Sequence, residues 1–282
     1  MAVSRLAMVL LLLCWLCCGC ASLGFFCGCP AFSVRGEHLT ISRAGGDSFE
    51  SNRLLHAMLR VSDIDASTSF YEELGLRVLS CNKRPNGAAT AFVGPGRLRD
   101  METFALELAA PATGKGPGVS IGRFGGIAIS ADAGDVASQV DPDGYPISLC
   151  GSSAGSERSE IVSIRLPTSD LKKAKSFYER LGMVESSSVE SEASFRYLEG
   201  PSTELMLQTQ ESLTREDLGS GFDHLVISTA DVQKAAETLE AAGVEILLPP
   251  TVMFGLNITG IRDCDGHKIY LVSEQDFQQS ST

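Results

Sequence analysis

Positive charge is scarce in this chain. Lys and Arg number 23 against 35 Asp and Glu, for a formal net charge of −12 over 282 residues. Residues 1–40 hold only Arg5, Arg35 and Glu37, so without them 21 basic and 34 acidic residues remain. An acidic body with no basic patch excludes the electrostatic footprint of a nucleic-acid-binding protein. Cysteine is also nearly missing from the body. Of nine cysteines, Cys14, Cys17, Cys18, Cys20, Cys27 and Cys29 crowd the N-terminus, and only Cys81, Cys150 and Cys264 lie beyond. That odd, widely spaced set excludes a disulfide framework and a thiolate zinc site. The Gly-rich stretch Gly114–Gly118 lacks the strand-to-helix context and the Lys-Ser/Thr of a phosphate loop. Ser and His occur without a nucleophile-elbow pattern.

What the N-terminus does have is a leader. Arg5 precedes the apolar run Leu6–Cys18, and small residues follow at Gly19, Ala21 and Ser22. At about 13 residues the run is short for a membrane span and matches a signal-peptide core, so residues 1–22 read as a signal peptide, with a membrane anchor as the alternative. Residues 23–51 are poor in acid, with Ser33, Arg35, Ser42 and Arg43. This composition is similar to the transit-like second part of bipartite plastid leaders, and the Phe25-Phe26 pair fits it. The expectation is entry into the secretory route, leader removal, no stable membrane insertion afterwards, and a final location in a plastid or outside the cell. Asn257-Ile-Thr259 is a glycosylation sequon that matters only on that route.

The body contains an internal repeat. In Leu54–Val78 the stretch Leu55–Val61 alternates: Ala57, Leu59 and Val61 point one way, His56, Met58 and Arg60 the other. Ser62-Asp63 offers an N-cap, Phe70, Tyr71 and Leu74 recur at helical spacing, and Gly75 stops the helix. The pattern returns 107 residues later, where Asp170, Phe177-Tyr178 and Gly182 match Asp63, Phe70-Tyr71 and Gly75. A repeat this long means copies of one structural unit. The first unit continues with strands at Arg77–Cys81, Ala89–Val93 and Met101–Leu108, separated by Asn86-Gly87 and Gly94-Pro95-Gly96 turns. Glu107 falls on the polar face of the last strand. Pro111–Gly118 is a linker, and the second unit starts at Gly122–Ser130. Gly151–Ser159 links the halves. The third unit spans Ile161–Gln208, and the fourth runs from GFDHLVIST at 221–229 to DCDGHKIYLV at 263–272. Gly126 matches His224 and Asp141 matches Asp263. The first interval is shorter by 24 residues, so the second unit is truncated by enough chain for two strands.

Four βαβββ units with these signatures resemble the vicinal-oxygen-chelate superfamily, and most of all its two-domain glyoxalase I branch. LLHAMLRVSDIDASTSFYEELGL resembles the opening motif of that family, and GFDHLVIST and DPDG resemble later ones. The resemblance covers about residues 52–275. It implies an α+β fold of tandem βαβββ units with an N-terminal domain at 52–150, a linker at 151–160, a C-terminal domain at 161–275 and a tail at 276–282. It also implies a monomer with an internal pseudo-dimer, in which the first unit faces the fourth and the second faces the third.

In that family each metal site takes a His from a unit's first strand and a Glu from its last strand, with two units facing each other. Carried over, one site receives His56 and Glu107 from the first unit and His224 from the fourth, with Tyr270 where the second Glu belongs. The other site is left with Gly126, Ser148, Ser163 and Gln208. Two imidazoles and a carboxylate suit one divalent cation such as zinc, nickel or iron, with open positions. The implied activity is that of a metal-dependent lyase acting on the hemithioacetal of methylglyoxal and a thiol such as glutathione. A proton moves between adjacent carbons, so Glu107 and Tyr270 are the catalytic candidates. A phenol with an ordinary pKa near 10 is a poor base at pH 7. Arg60 matches a carboxylate-binding arginine of the family and is the substrate-binding candidate, with pairing to Glu107 as its alternative role. Pro111 and Met253 stand about where the family has an asparagine and a lysine. Two other readings stay open: an iron-dependent dioxygenase of the same superfamily, and a non-catalytic small-ligand-binding protein.

Overall fold

The structure is a computed structural model, and it describes residues 49, 51–96, 101–112, 118–131, 137–151, 159–253 and 255–280. The expected signal peptide, the transit-like stretch through residue 48, and residues 113–117 and 152–158 of the two expected linkers lie outside the described residues.

Three of the four units begin with the same local chemistry. β1 (Arg53–Arg60) leads to Asp63, whose carboxylate accepts from the N–H groups of Asp65 and Ala66 at 2.8 and 3.1 Å and so starts α1 (Ile64–Glu73). Asp170 caps α2 (Leu171–Arg180) through the Lys173 N–H, and Asp231 caps α3 (Val232–Ala241) through the Lys234 N–H. Each such cap stabilises its helix by about 1 kcal/mol. Gly75, Gly182 and Gly243 then take φ of 86, 84 and 79°, the left-handed turn that ends each helix.

The first unit closes with β2 (Arg77–Lys83), β3 (Ala89–Gly94) and β4 (Ala105–Ala110). The second contains β5 (Gly126–Ala131), β6 (Ala137–Val140) and β7 (Pro146–Gly151). The third contains β8 (Glu160–Thr168), α2, β9 (Val184–Val189), β10 (Glu192–Arg196) and β11 (Glu204–Thr209). The fourth contains β12 (Phe222–Thr229), α3, β13 (Ile246–Met253), β14 (Leu256–Arg262) and β15 (Lys268–Ser273), followed by α4 (Glu274–Ser280).

These strands form two sheets, and neither sheet belongs to one half of the chain. The eight-stranded sheet runs β13-β14-β15-β12-β1-β4-β3-β2, joining the fourth unit to the first. The seven-stranded sheet runs β6-β7-β5-β8-β11-β10-β9, joining the second to the third. That is the facing arrangement the family resemblance implied. One apolar core connects the helix-side faces of both sheets, with Leu59, Leu106 and Leu225 from the first and Ile127, Ile164 and Leu205 from the second. Tyrosines tie consecutive units together: Tyr71 donates to Asp141 at 3.2 Å, and Tyr178 donates to Asp263 at 2.9 Å.

Several sequence-based expectations are corrected here. The second unit has three strands and, among the described residues, no helix, so its missing chain corresponds to a helix and one strand rather than two strands. β4 starts at Ala105, not Met101, because Met101 adopts φ 51°, which a strand cannot contain. Residues 276–280, expected as a tail, belong to α4, and its Phe277 is buried. Phe49, placed in the leader, is buried in the core against Gly182, whose missing Cβ leaves room for the Phe49 carbonyl. Both ends of the sequon are engaged by the fold: the Asn257 amide donates to Asp276 at 2.7 Å, and the buried Thr259 hydroxyl donates to the Leu248 carbonyl at 2.8 Å.

The Phe49 contact gives a direct test. Phe49→Ala should lower the unfolding free energy in urea by about 3 kcal/mol, and a chain begun at Ser51 should lose a similar amount. An unchanged denaturation midpoint would show that the body starts later.

Candidate metal centre

The centre of the larger sheet is the row β12-β1-β4. β1 is antiparallel to β12 and parallel to β4. Met58 pairs with His224 on one side and with Glu107 on the other, and His56 lies one pleat along, opposite Val226 and Ala105. His56, Glu107 and His224 therefore point from three neighbouring strands to the same face. Their donor atoms lie within 4.8 Å of one another, and all three residues are 0 % exposed.

Two ladder irregularities accompany the histidines. The β1–β12 register skips Leu55 on one strand and Asp223 on the other, the residue before each histidine. Such a bulge breaks strict alternation. Leu55 consequently joins the apolar cluster on the concave face. Asp223 brings its carboxylate to the histidine beside it, with Oδ2 2.8 Å from His224 Nδ1. Its Oδ1 accepts from Arg60 at 3.0 Å and from Lys268 at 3.2 Å.

The donors themselves are left wanting. His56 Nε2 lies 3.3 Å from Glu107 Oε2, near enough for Coulomb attraction but off the line of a hydrogen bond. His56 Nδ1 and Nε2, His224 Nε2 and both Glu107 oxygens are buried without a hydrogen-bond partner. A buried unsatisfied polar group costs about 1–3 kcal/mol, and a charged one more. Five such atoms in one enclosed cluster are what a cation would satisfy, and nitrogen and carboxylate donors fit a divalent first-row ion. Burial lowers the His56 pKa against the pull of Glu107, which favours the neutral imidazole that ligates metal.

Rings flank the donors. Phe92 meets His56 edge-on with centroids 5.3 Å apart, and Tyr270 meets His224 edge-on at 4.9 Å. Tyr270 thus lines the site beside the three donors. The concave face is not an open cup. Leu55, Phe92, Met101, Val226, Tyr270 and Phe277 form a buried apolar cluster over it, with Met253 packed at its edge. Arg60 does not pair with Glu107; its guanidinium is bound to Asp223. Pro111 is exposed.

The smaller sheet repeats the pairing without the chemistry. Ser163 pairs with Ala128 and Glu204 as His56 pairs with Val226 and Ala105. Arg165 pairs with Gly126 and Met206 as Met58 pairs with His224 and Glu107. Ser148 opposes Ala128 as Tyr270 opposes Val226. The equivalent positions are Ser163, Met206, Gly126 and Ser148. Gln208, expected at the Glu position, is one pleat farther along and donates to Glu192 at 2.9 Å. Asp223 is the site residue that alternation misses: its placement next to His224 in GFDHLVIST reads as opposite-facing until the bulge is known.

Glu107→Met copies what stands at the same place in the smaller sheet. Without metal, this variant should be more stable than the wild type by about 1–3 kcal/mol, read as a higher midpoint in urea after chelator treatment. A lower midpoint would mean that Glu107 is satisfied by the fold itself.

Residues 53–147 and 160–271 match the family model of the Glyoxalase/Bleomycin resistance protein/Dioxygenase superfamily. A relative from Arabidopsis thaliana, "Probable lactoylglutathione lyase, chloroplastic", is 27% identical over 263 residues, covering 81% of this chain and 75% of that one. "Lactoylglutathione lyase" from Oryza sativa subsp. japonica is 27% identical over 271 residues, covering 81% and 91%. The crystal structure of glyoxalase I from Zea mays superimposes with a TM-score of 0.71 at 28% identity, covering 81% of this chain and 95% of that one. With two matched segments that together span most of its length, the chain belongs to the Glyoxalase/Bleomycin resistance protein/Dioxygenase superfamily.

Proposed function

We propose that this protein is a glyoxalase I-like lyase, converting the hemithioacetal of methylglyoxal and a thiol such as glutathione into a thioester. The observation that carries this is the convergence of His56, Glu107 and His224 as buried, unpartnered donors. The relatives that span most of the chain are named lactoylglutathione lyases, which supports the same reaction.

A divalent cation held by His56, Glu107 and His224 would supply Lewis-acid stabilisation of negative charge developing on the substrate oxygens. Glu107 is the sole carboxylate among the three donors. It takes the proton from the carbon that bears sulfur and returns it to the neighbouring carbonyl carbon, while the hydroxyl proton passes to the neighbouring oxygen, which leaves a thioester, a hydroxyl and no net change in protons. Tyr270 stands on the opposite side of the pair, against His224, and bounds the substrate there. The proton transfer is therefore one-sided, with Glu107 acting as both base and acid. Burial of all three donors excludes bulk water during that transfer. Both halves of the site come from one chain, so a monomer suffices. The chloroplastic relative supports a plastid location. An iron-dependent dioxygenase and a non-catalytic binding protein are the alternatives that metal analysis and the turnover assay separate from this reading.

The body beginning near Phe49 should bind one zinc, nickel or iron ion per chain and convert methylglyoxal and glutathione to the thioester. His56→Ala or His224→Ala should abolish stoichiometric metal binding and turnover, while Ser163→Ala changes neither. Tyr270→Glu should complete a four-ligand sphere and raise turnover. Stoichiometric metal without thioester formation would sink the lyase; no metal at micromolar concentration would sink the centre.

A further inference from the structure

Leu55 and Asp223 occupy matching bulges, each just before a site histidine. At the first, an apolar side chain fills the concave cluster. At the second stands a carboxylate that is nearly as buried and needs three partners. A buried ion cluster is a poor source of stability compared with an apolar side chain of similar size, as Leu55 itself illustrates. The geometry points instead to a role at His224. The two carboxylate oxygens are divided: Oδ2 takes the imidazole, and Oδ1 takes Arg60 and Lys268. With Oδ1 held by two cations, Oδ2 is the acceptor left for the imidazole, and Nδ1 is the ring atom that donates to it. Nε2, buried and without a hydrogen-bond partner, is the ring atom left to face a cation. His56 has no such anchor, since neither of its ring nitrogens has a hydrogen-bond partner.

We propose that Asp223 is a positioning residue for the metal centre: from the bulge it fixes the orientation and tautomer of His224, and Arg60 and Lys268 fix Asp223. The proposal rests on His56, Glu107 and His224 being the donors. It also reassigns Arg60 from clamping a substrate carboxylate to supporting the centre. A carboxylate behind a ligating imidazole holds the ring and raises its basicity, and its loss typically lowers metal affinity 10–100-fold.

Two variants of the full body test this, with zinc as the probe in competition with a chromophoric chelator. Asp223→Leu copies the twin bulge. Its zinc affinity should drop about 10–100-fold, and the visible spectrum of its cobalt form should shift. Its metal-free melting temperature should fall, because Arg60, Lys268 and His224 lose a common acceptor, so the affinity and the spectrum are read on the folded protein. Asp223→Asn keeps an acceptor for Nδ1–H and should recover part of the lost affinity. If Asp223→Leu does not fold, the milder loss in Asp223→Asn decides the matter. Wild-type zinc affinity and an unchanged cobalt spectrum in the folded variants would overturn the positioning role while leaving the donor set standing. A wild-type protein that takes up neither zinc, nickel nor iron would overturn the donor set itself, and this proposal with it.

Discussion

The antiparallel pairing of β1 with β12 is the constraint on which the rest of the molecule depends. It joins the first unit to the fourth at the middle of the larger sheet and sets His56 and His224 on one face. β4, lying parallel to β1, then fixes Glu107 in the same row. A slip of β1 by one residue would turn His56 to the helix side and bring Leu59 out of the core it shares with Leu106 and Leu225. The apolar helix-side core therefore sets the geometry of the three side chains: it allows one register, and that register brings them together.

Beyond the truncation of the second unit, the two sheets differ most in the chemistry of their concave faces. Their helix sides share one continuous core of branched and aromatic side chains. On the concave side, one sheet keeps two imidazoles and a carboxylate, and the other has Ser163, Met206, Gly126 and Ser148 at the matching places. The first arrangement carries buried polar atoms that the fold leaves unpaired. Such a cluster is tolerable when something outside the chain completes it, which is the usual trade between a functional site and stability.

Much of this was legible in the amino-acid sequence because it rests on short-range pattern. Alternation in Leu55–Val61 and around Glu107 assigned the faces, and the Asp caps and closing glycines located the helices. What stayed hidden depends on the ladder between strands. Alternation sends Asp223 and His224 to opposite faces, and only the bulge brings them together. Gln208 and Met206 share a face, so pattern could not choose between them; the pairing of Met206 with Arg165 does. The closed state of the site was equally invisible. It depends on Met101 leaving the strand conformation and on Phe277 returning from beyond the last strand. Phe49 reads as leader by composition and as core only through its contact with Gly182.

The separation of β1 from its two neighbours has a consequence for how the protein matures. β4 emerges from the ribosome soon after β1, but β12 follows only after two further units. Until then the far edge of β1 is a row of unpaired backbone donors and acceptors, an invitation to wrong partners. Pairings between such distant segments also make folding slow. While that edge is open, His56 and Glu107 stand without His224. His224 arrives with β12, so the three side chains can meet only once that strand has docked.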